Sequence, residues 1–211
     1  MSGCLLFDSD GTLVDSELLN CEALAAELGD SGISETASDL MTRYRGWNFH
    51  EVLTDIQQRY HVQLDPFFTG RFRERARDHF SLHLQPVAGI EAALNRLDQP
   101  KCVASNAPLP KLRHVLEITG LGVHFSDRLY SAYTIGSWKP SPDLFLYAAA
   151  EMGYAAEQCI VIEDSEVGVE AANRAGMQVV LYDPDGRLQN LAVTVTLTTM
   201  SLLPEVVADL C

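Results

Sequence analysis

The sequence predicts an α/β fold in which a doubly wound parallel sheet is interrupted by a block of helices. Short apolar runs alternate with helical segments from Pro86 onward, and one further apolar run, Cys4–Phe7, opens the chain. This alternation is typical of a parallel sheet covered by helices. Residues 15–84 show helical patterns without β-branched runs. We therefore expect an α/β core of residues 1–14 and 85–211, with residues 15–84 inserted as a helical cap.

The individual elements follow from local patterns of apolar residues and of helix-ending residues. The predicted helices are Glu17–Leu28, Phe49–Tyr60, Pro66–Leu84, Ile90–Leu97, Pro110–Ile118, the segment opened by Ser141-Pro142, Val167–Ala175 and Leu202–Leu210. The strands predicted after Cys4–Phe7 are Lys101–Ala104, Leu129–Tyr133, Cys159–Ile162, Gln178–Tyr182 and Val193–Leu197.

Composition narrows the class of protein. The chain has 211 residues, is 47% hydrophobic and carries a net charge of −14, which disfavours nonspecific binding to nucleic acid. No apolar stretch reaches the ~18 residues that span a membrane, and the first strand leaves no room for a signal peptide. Five cysteines without a CxxC pair indicate reduced thiols. We expect a cytoplasmic protein that contacts neither nucleic acid nor membrane; its oligomeric state is not encoded in these patterns, and a monomer is favoured.

The run Asp8-Ser9-Asp10-Gly11-Thr12, directly after the first apolar run, is the most informative segment. Alternate side chains of a strand point to the same side, so Asp8 and Asp10 should lie together. Two ionised carboxylates at that distance repel each other unless one is protonated or a cation lies between them. Oxygen ligands of this kind suit a hard cation such as Mg²⁺.

Polar residues also follow three other apolar runs. Ser105 and Asn106 follow one, Glu163 and Asp164 follow another, and Lys139 lies in the loop after Leu129–Tyr133. Taken singly, each could be a turn, a helix cap or a surface lysine. Ligands of open parallel sheets bind beyond the carboxyl ends of the strands, so these groups are expected to converge on one edge.

The motifs in this order resemble those of the haloacid dehalogenase superfamily, in its phosphatase branch with a helical cap after the first strand. The motifs are Asp8-Ser9-Asp10-Gly11-Thr12, Ser105, Lys139 and Glu163-Asp164, and the resemblance covers essentially the whole chain. Within that branch the chain is most like sugar-phosphate phosphatases, such as 6-phosphogluconate phosphatases, and the related β-phosphoglucomutases. The resemblance implies a phosphoric monoester hydrolase acting on a small phosphorylated metabolite.

The resemblance also implies catalytic roles for four residues. Asp8 would be the nucleophile that forms an aspartyl-phosphate, and Asp10 would protonate the leaving oxygen and later activate water. Ser105 and Lys139 would hold the phosphoryl oxygens. A lysine suits this position because a compact ammonium shields the negative charge of a phosphate from an attacking carboxylate.

The metal and substrate contacts are implied in the same way. Mg²⁺ would be held by Asp8, the main-chain carbonyl of Asp10 and Asp164, with Glu163 in or near its shell. Candidate substrate-binding residues are Asn20, Arg45 and Gly46 in the cap and Asn106 in the core.

Two alternatives stay open. β-Phosphoglucomutases carry a histidine in the first cap helix, where this chain has Asn20, and they tend not to have threonine at the position of Thr12. A phosphotransferase of that kind is the first alternative. The second is a non-catalytic phospho-acceptor module, which would use neither an acid catalyst such as Asp10 nor a cap.

Overall fold

The computed structural model describes residues 3–45 and 47–211 and divides the chain into two compact units. One unit comprises the described residues up to Asp15 together with Gln85–Cys211, and the other comprises Ser16–Leu84. Within the described ranges, no helix is both long and apolar enough to cross a membrane.

The first unit contains a six-stranded sheet with the strand order β3-β2-β1-β4-β5-β6. Its strands are β1 (Cys4–Phe7), β2 (Lys101–Ser105), β3 (Leu129–Ser131), β4 (Cys159–Glu163), β5 (Gln178–Tyr182) and β6 (Val195–Leu197). All neighbouring pairs are parallel. The predicted doubly wound parallel sheet is therefore confirmed.

The central strands are apolar on both faces because both faces are covered. All four residues of β1 are buried, which explains the continuous apolar run in the sequence. On one face Leu6 belongs to a cluster that includes Leu144 and Phe145. Phe7 contacts Phe125 edge to face, with ring centroids 5.7 Å apart. Three of the five free cysteines, Cys4, Cys102 and Cys159, are buried, as their apolar settings predict.

The second unit is helical. Its helices are α1 (Glu17–Asp30), α2 (Ala37–Tyr44), α3 (Phe49–Tyr60) and α4 (Phe68–His83). Thr36 caps α2 by accepting a hydrogen bond from the amide of Asp39, and Asn48 forms a capping box with Glu51 at the start of α3. Buried residues of α1 and α4, such as Leu28 and Phe72, form the apolar interior of this unit.

Six α-helices, besides short 3-10 helices, complete the α/β unit in the described part of the chain. They are α5 (Ile90–Leu94), α6 (Leu109–Ile118), α7 (Ala132–Ile135), α8 (Asp143–Met152), α9 (Glu166–Arg174) and α10 (Leu203–Leu210). The chain leaves β1 and returns before α5 along adjacent segments, since the amide of Asp15 donates to the carbonyl of Gln85 at 3.0 Å.

Some predicted boundaries are wrong. The strand expected over Leu129–Tyr133 ends at Ser131, whose hydroxyl accepts a hydrogen bond from the amide of Tyr133 and starts α7. The helix expected over Ile90–Leu97 ends at Leu94. The hydroxyl of Ser131 ends the strand, and the amide of Asn95 bonds to the carbonyls of Ala93 and Glu91 at the end of the helix; apolar spacing reveals neither contact.

Candidate active site

The carboxyl ends of three parallel strands bring the first polar residues together. Phe7 of β1 is in register with Val103 of β2 and with Ile162 of β4. The amide of Asp8 donates to the carbonyl of Ile162 at 2.9 Å. Asp8 therefore lies beside Glu163 at the edge of the sheet where ligands of this fold bind.

Lys139 lies between two of these carboxylates. Its Nζ is 2.5 Å from Oδ1 of Asp8 and 2.7 Å from Oε1 of Glu163. Lys139 is 5% exposed, Asp8 8% and Glu163 1%, so the three charges are almost completely removed from water. The ammonium also lies 4.7 Å from the centre of the Phe145 ring. A buried lysine between two acids is held in one position by its partners.

Asn106 fixes the backbone at Lys139. Its Oδ1 accepts a hydrogen bond from the amide of Lys139 at 2.9 Å, and its Nδ2 donates to the Lys139 carbonyl at 3.4 Å. The side chain predicted to bind substrate therefore bonds to the loop that carries the lysine. Ser105 is buried, and its hydroxyl accepts a hydrogen bond from the amide of Ala107 at 3.2 Å.

Glu163 is surrounded by hydrogen-bond donors. Its Oε2 accepts from the amides of Asp164 and Ser165, both at 2.9 Å, and from the Ser165 hydroxyl at 2.8 Å. Its other oxygen is bonded to Lys139. Ser165 in turn caps α9 through the amide of Gly168. Since both oxygens have donors within the protein, this carboxylate orients the lysine.

Two glycines allow the close approaches in this region. A Cβ atom at Gly168 would lie 1.8 Å from Oε1 of Glu163. Gly11 has a φ of 84°, and a Cβ atom there would lie 2.1 Å from Oδ2 of Asp164. Oδ1 of Asp164 accepts a hydrogen bond from the Thr12 hydroxyl at 3.0 Å. The turn after β1 thus packs directly against Asp164, which only glycine at position 11 permits.

Lys111 is a site residue that the sequence analysis missed. Its Nζ lies 2.8 Å from Oδ1 and 2.9 Å from Oδ2 of Asp10. Lys111 occurs six residues after Ser105, in the first turns of α6. The sequence did indicate this residue. Lys111 is one of only three lysines in the chain, and it lies near the start of the helix that follows Ser105.

Acids outnumber bases among the described side chains of this cluster. It contains four carboxylates (Asp8, Asp10, Glu163 and Asp164) and two ammonium groups (Lys111 and Lys139). Burial raises the pKa of Asp8 to about 7, against the opposing effect of Lys139. Burial lowers the pKa of Lys139, but Asp8 and Glu163 outweigh it and hold that pKa above its ordinary value. A bound cation would favour the ionised form of Asp8.

The donor set fits Mg²⁺. Among residues 3–45 and 47–211, no three His, Cys, Asp or Glu side chains are grouped closely enough to form a complete metal site on their own. Mg²⁺ does not require one, because it is commonly held by one or two carboxylates and keeps several water ligands. Asp8 and Asp164, at the ends of adjacent strands, provide two such carboxylates.

The residues predicted to contact substrate from the helical block lie within the second unit. Asn20 is in the first turns of α1, and its amide donates to the carbonyl of Ser16. Arg45 follows α2 and forms an ion pair with Glu17 of the same unit. Gly46 lies outside the described residues.

Residues 3–176 match the family model of haloacid dehalogenase-like hydrolases. The chain is 31% identical over 204 residues to 6-phosphogluconate phosphatase of Escherichia coli K12, covering 95% of this chain and 92% of that protein. It is 28% identical over 180 residues to fructose-1-phosphate phosphatase of the same organism, covering 83% and 94%.

A solved structure has the same fold. A hydrolase of this family from Deinococcus radiodurans R1, crystallised with bound phosphate and sodium, superposes with a TM-score of 0.78. The two sequences are 27% identical, and the match covers 99% of this chain and 96% of the other. The predicted resemblance is therefore confirmed, and the two relatives named phosphatases agree with the prediction of a phosphoric monoester hydrolase. The chain belongs to the haloacid dehalogenase-like hydrolase family.

Proposed function

We propose that this hydrolase is a Mg²⁺-dependent phosphatase that cleaves a small sugar phosphate through a phosphorylated Asp8. The observation that carries the proposal is the buried Lys139 between Asp8 and Glu163, beside Asp10 and Asp164. A carboxylate can attack a phosphate only where nearby cations shield the negative charge of the phosphoryl group. In this cluster Lys139 is such a cation, and Asp10 and Asp164 are the two further acids.

The reaction proceeds in two balanced steps. In the first, an oxygen of Asp8 attacks phosphorus, the bond to the ester oxygen breaks, and that oxygen takes a proton from the carboxyl group of Asp10. In the second, water attacks phosphorus and gives a proton to Asp10, while the bond between phosphorus and Asp8 breaks. The products are the alcohol and inorganic phosphate. Covalent transfer divides one difficult displacement into two easier ones.

Other residues of the cluster hold the reacting groups. Lys139 and the hydroxyl of Ser105 bind the phosphoryl oxygens, and Asn106 keeps the lysine in place through its backbone. Asp8, Asp164 and the main-chain carbonyl of Asp10 would hold Mg²⁺, which neutralises phosphoryl charge when bound. We place Glu163 outside the ligand set, because both its oxygens already accept hydrogen bonds.

The substrate class rests on the relatives. One is named for 6-phosphogluconate and the other for fructose 1-phosphate, both phosphorylated sugars or sugar acids. Substrate contacts by Asn20 and Arg45, and the role of the helical unit as a cap, stay predictions. A cytoplasmic location and a monomeric state stay predictions as well.

The test is phosphate release from p-nitrophenyl phosphate, 6-phosphogluconate and fructose 1-phosphate, with Mg²⁺ and with EDTA. We expect Mg²⁺-dependent multiple turnover that falls to background in Asp8→Asn. The matched control is Asp209→Asn, which makes the same chemical change at an exposed position of α10 and should keep full activity. Folded protein that releases no phosphate from any ester would contradict the proposal. Isomerisation of a hexose 1-phosphate would then favour the mutase, and one stable phosphate per chain the phospho-acceptor.

A further inference from the structure

The ion pair between Lys111 and Asp10 joins two distant parts of the sequence. The residues are 101 positions apart, and the ammonium is within hydrogen-bond distance of both oxygens of the carboxylate. About a quarter of each side chain is exposed, 23% for Lys111 and 26% for Asp10. The pair is therefore accessible to solvent, unlike the buried pairs of Lys139.

The lysine projects from a rigid support. Its amide donates to the carbonyl of Pro108 at 2.9 Å, which fixes the first turn of α6. The same helix is anchored by Leu112, Val115 and Leu116, all buried. Asp10, in contrast, lies on the turn after β1. A side chain on a turn is less constrained than one on a packed helix, so the helix can set the direction of the carboxyl group.

Direction matters for the proton transfer assigned to Asp10. A general acid must lie within about 3 Å of the leaving oxygen, and a displacement of about 1 Å can cost about 10²-fold in rate. Resting on the function proposed above, we infer that Lys111 is a positioning residue: it keeps its bond to one oxygen of the Asp10 carboxyl group, while the other, protonated oxygen meets the ester oxygen. Lys111 itself does not touch the phosphoryl group in this account.

The leaving group provides the decisive measurement. The alkoxide of fructose 1-phosphate must be protonated as it leaves, whereas p-nitrophenolate leaves without a proton. In this two-step reaction kcat/KM reports the first step, transfer of the phosphoryl group to Asp8. We expect Lys111→Met to lower kcat/KM for fructose 1-phosphate about 10- to 100-fold. For p-nitrophenyl phosphate the loss should stay below about 3-fold, because no acid is needed.

Two variants serve as controls. Arg113→Met removes an exposed cation from the same helix and should leave both substrates unaffected. Lys111→Arg keeps a cation at the position and should restore most of the activity towards fructose 1-phosphate. A role confined to the folding of α6 would instead lower the activity towards both substrates together.

A double-mutant cycle with Asp10→Asn tests whether Lys111 acts through Asp10. If it does, Lys111→Met made together with Asp10→Asn should change kcat/KM for fructose 1-phosphate by less than about 2-fold relative to Asp10→Asn alone. The carboxyl group that Lys111 positions is then already absent, so the two effects are not additive. Equal losses for both substrates, no loss for fructose 1-phosphate, or full additivity with Asp10→Asn would overturn the inference. Failure of the proposed function is distinct, since the wild-type protein would then hydrolyse neither ester.

Discussion

In each unit a glutamate is buried among cations, but the two clusters differ in how far their cations are exposed to water. In the helical unit Glu27 accepts from Nε of Arg71 at 2.6 Å and from Nη2 of Arg75 at 3.4 Å. The side chain of Glu27 is 1% exposed, while those of Arg71 and Arg75 are 45% and 36% exposed. In the α/β unit both Glu163 and its cation Lys139 are buried.

The Glu27 cluster is structural, whereas the Lys139 cluster keeps charged groups buried. Arginines that reach water lose little solvation. Their ion pairs with Glu27 join helix α4 to helix α1 and add only modestly to the free energy of unfolding. Lys139 gives up its solvation completely and keeps its charge only because two acids face it. A buried ion pair of this kind rarely increases the free energy of unfolding. It becomes useful when a charged substrate enters a site that excludes water.

Replacement of Lys139 should have the largest effect. Lys139→Met leaves Asp8 and Glu163 without their shared cation, so we expect the free energy of unfolding to fall by about 3 kcal/mol. We expect kcat to fall about 10²- to 10³-fold, because phosphoryl charge is no longer shielded. Urea unfolding and phosphate release with Mg²⁺ measure the two effects.

Arg71→Met is the matched control for that variant, since it removes one cation from the other cluster. Its kcat should stay within about 2-fold of wild type, because the Glu27 cluster is structural. The fold should persist, since the remaining Arg75 still faces Glu27. Equal losses of activity in Lys139→Met and Arg71→Met would remove the distinction between the two clusters.

A single methyl group should also distinguish the units. Gly168→Ala forces Glu163 away from Lys139. Gly70→Ala makes the same change in α4, where, apart from the adjoining residues and backbone of the helix itself, no described atom lies within 4 Å of the new Cβ. We expect Gly168→Ala to destabilise the protein by about 1–3 kcal/mol and to lower kcat. Gly70→Ala should stabilise it by about 0.5–1 kcal/mol through helix propensity.

Thermal unfolding and steady-state kinetics of the two alanine variants test this pair. If Glu163 orients Lys139, kcat must fall in Gly168→Ala even where the protein is fully folded. A folded Gly168→Ala variant with wild-type kcat would show that the position of Glu163 is unimportant for turnover.

Glu27→Gln should have the smallest effect on activity of the charge changes. The amide keeps one acceptor for Arg71 but loses the charge, so we expect a loss of about 1–2 kcal/mol in unfolding free energy. The value of kcat should not change, because Glu27 belongs to the structural cluster. Denaturant unfolding at two salt concentrations measures the first effect and steady-state kinetics the second, and a kcat loss above about 10-fold would contradict the assignment.

Much of the sheet was predictable because its strands are buried on both faces. The continuous apolar runs ending before Asp8, Ser105 and Glu163 marked both the strands and the residues that follow them. The helix α2 was not resolved within the helical block, although Thr36 and Asp39 form its cap. The cap of this short helix does not stand out, because the sequence around it has a helical pattern throughout.

The contacts within the site were harder to predict than its members. Sequence spacing brings Glu163 to the sheet edge but does not show that Gly168 leaves room for its carboxylate, or that four donors surround it. Lys111 stands out in the sequence as a lysine near the start of the helix after Ser105, but its pairing with Asp10, 101 residues away, leaves no local pattern. Side-chain partners across the sheet depend on tertiary packing.

The most direct measurement of the central claim is to trap the phosphorylated protein. Wild-type enzyme is mixed with ³²P-labelled substrate and Mg²⁺, quenched in acid within milliseconds, and digested for peptide mapping. We predict label on the peptide that contains Asp8, released by hydroxylamine as an acyl phosphate is, and absent from Asp8→Asn. Multiple turnover without label on that peptide, or label that persists in Asp8→Asn, would contradict the account.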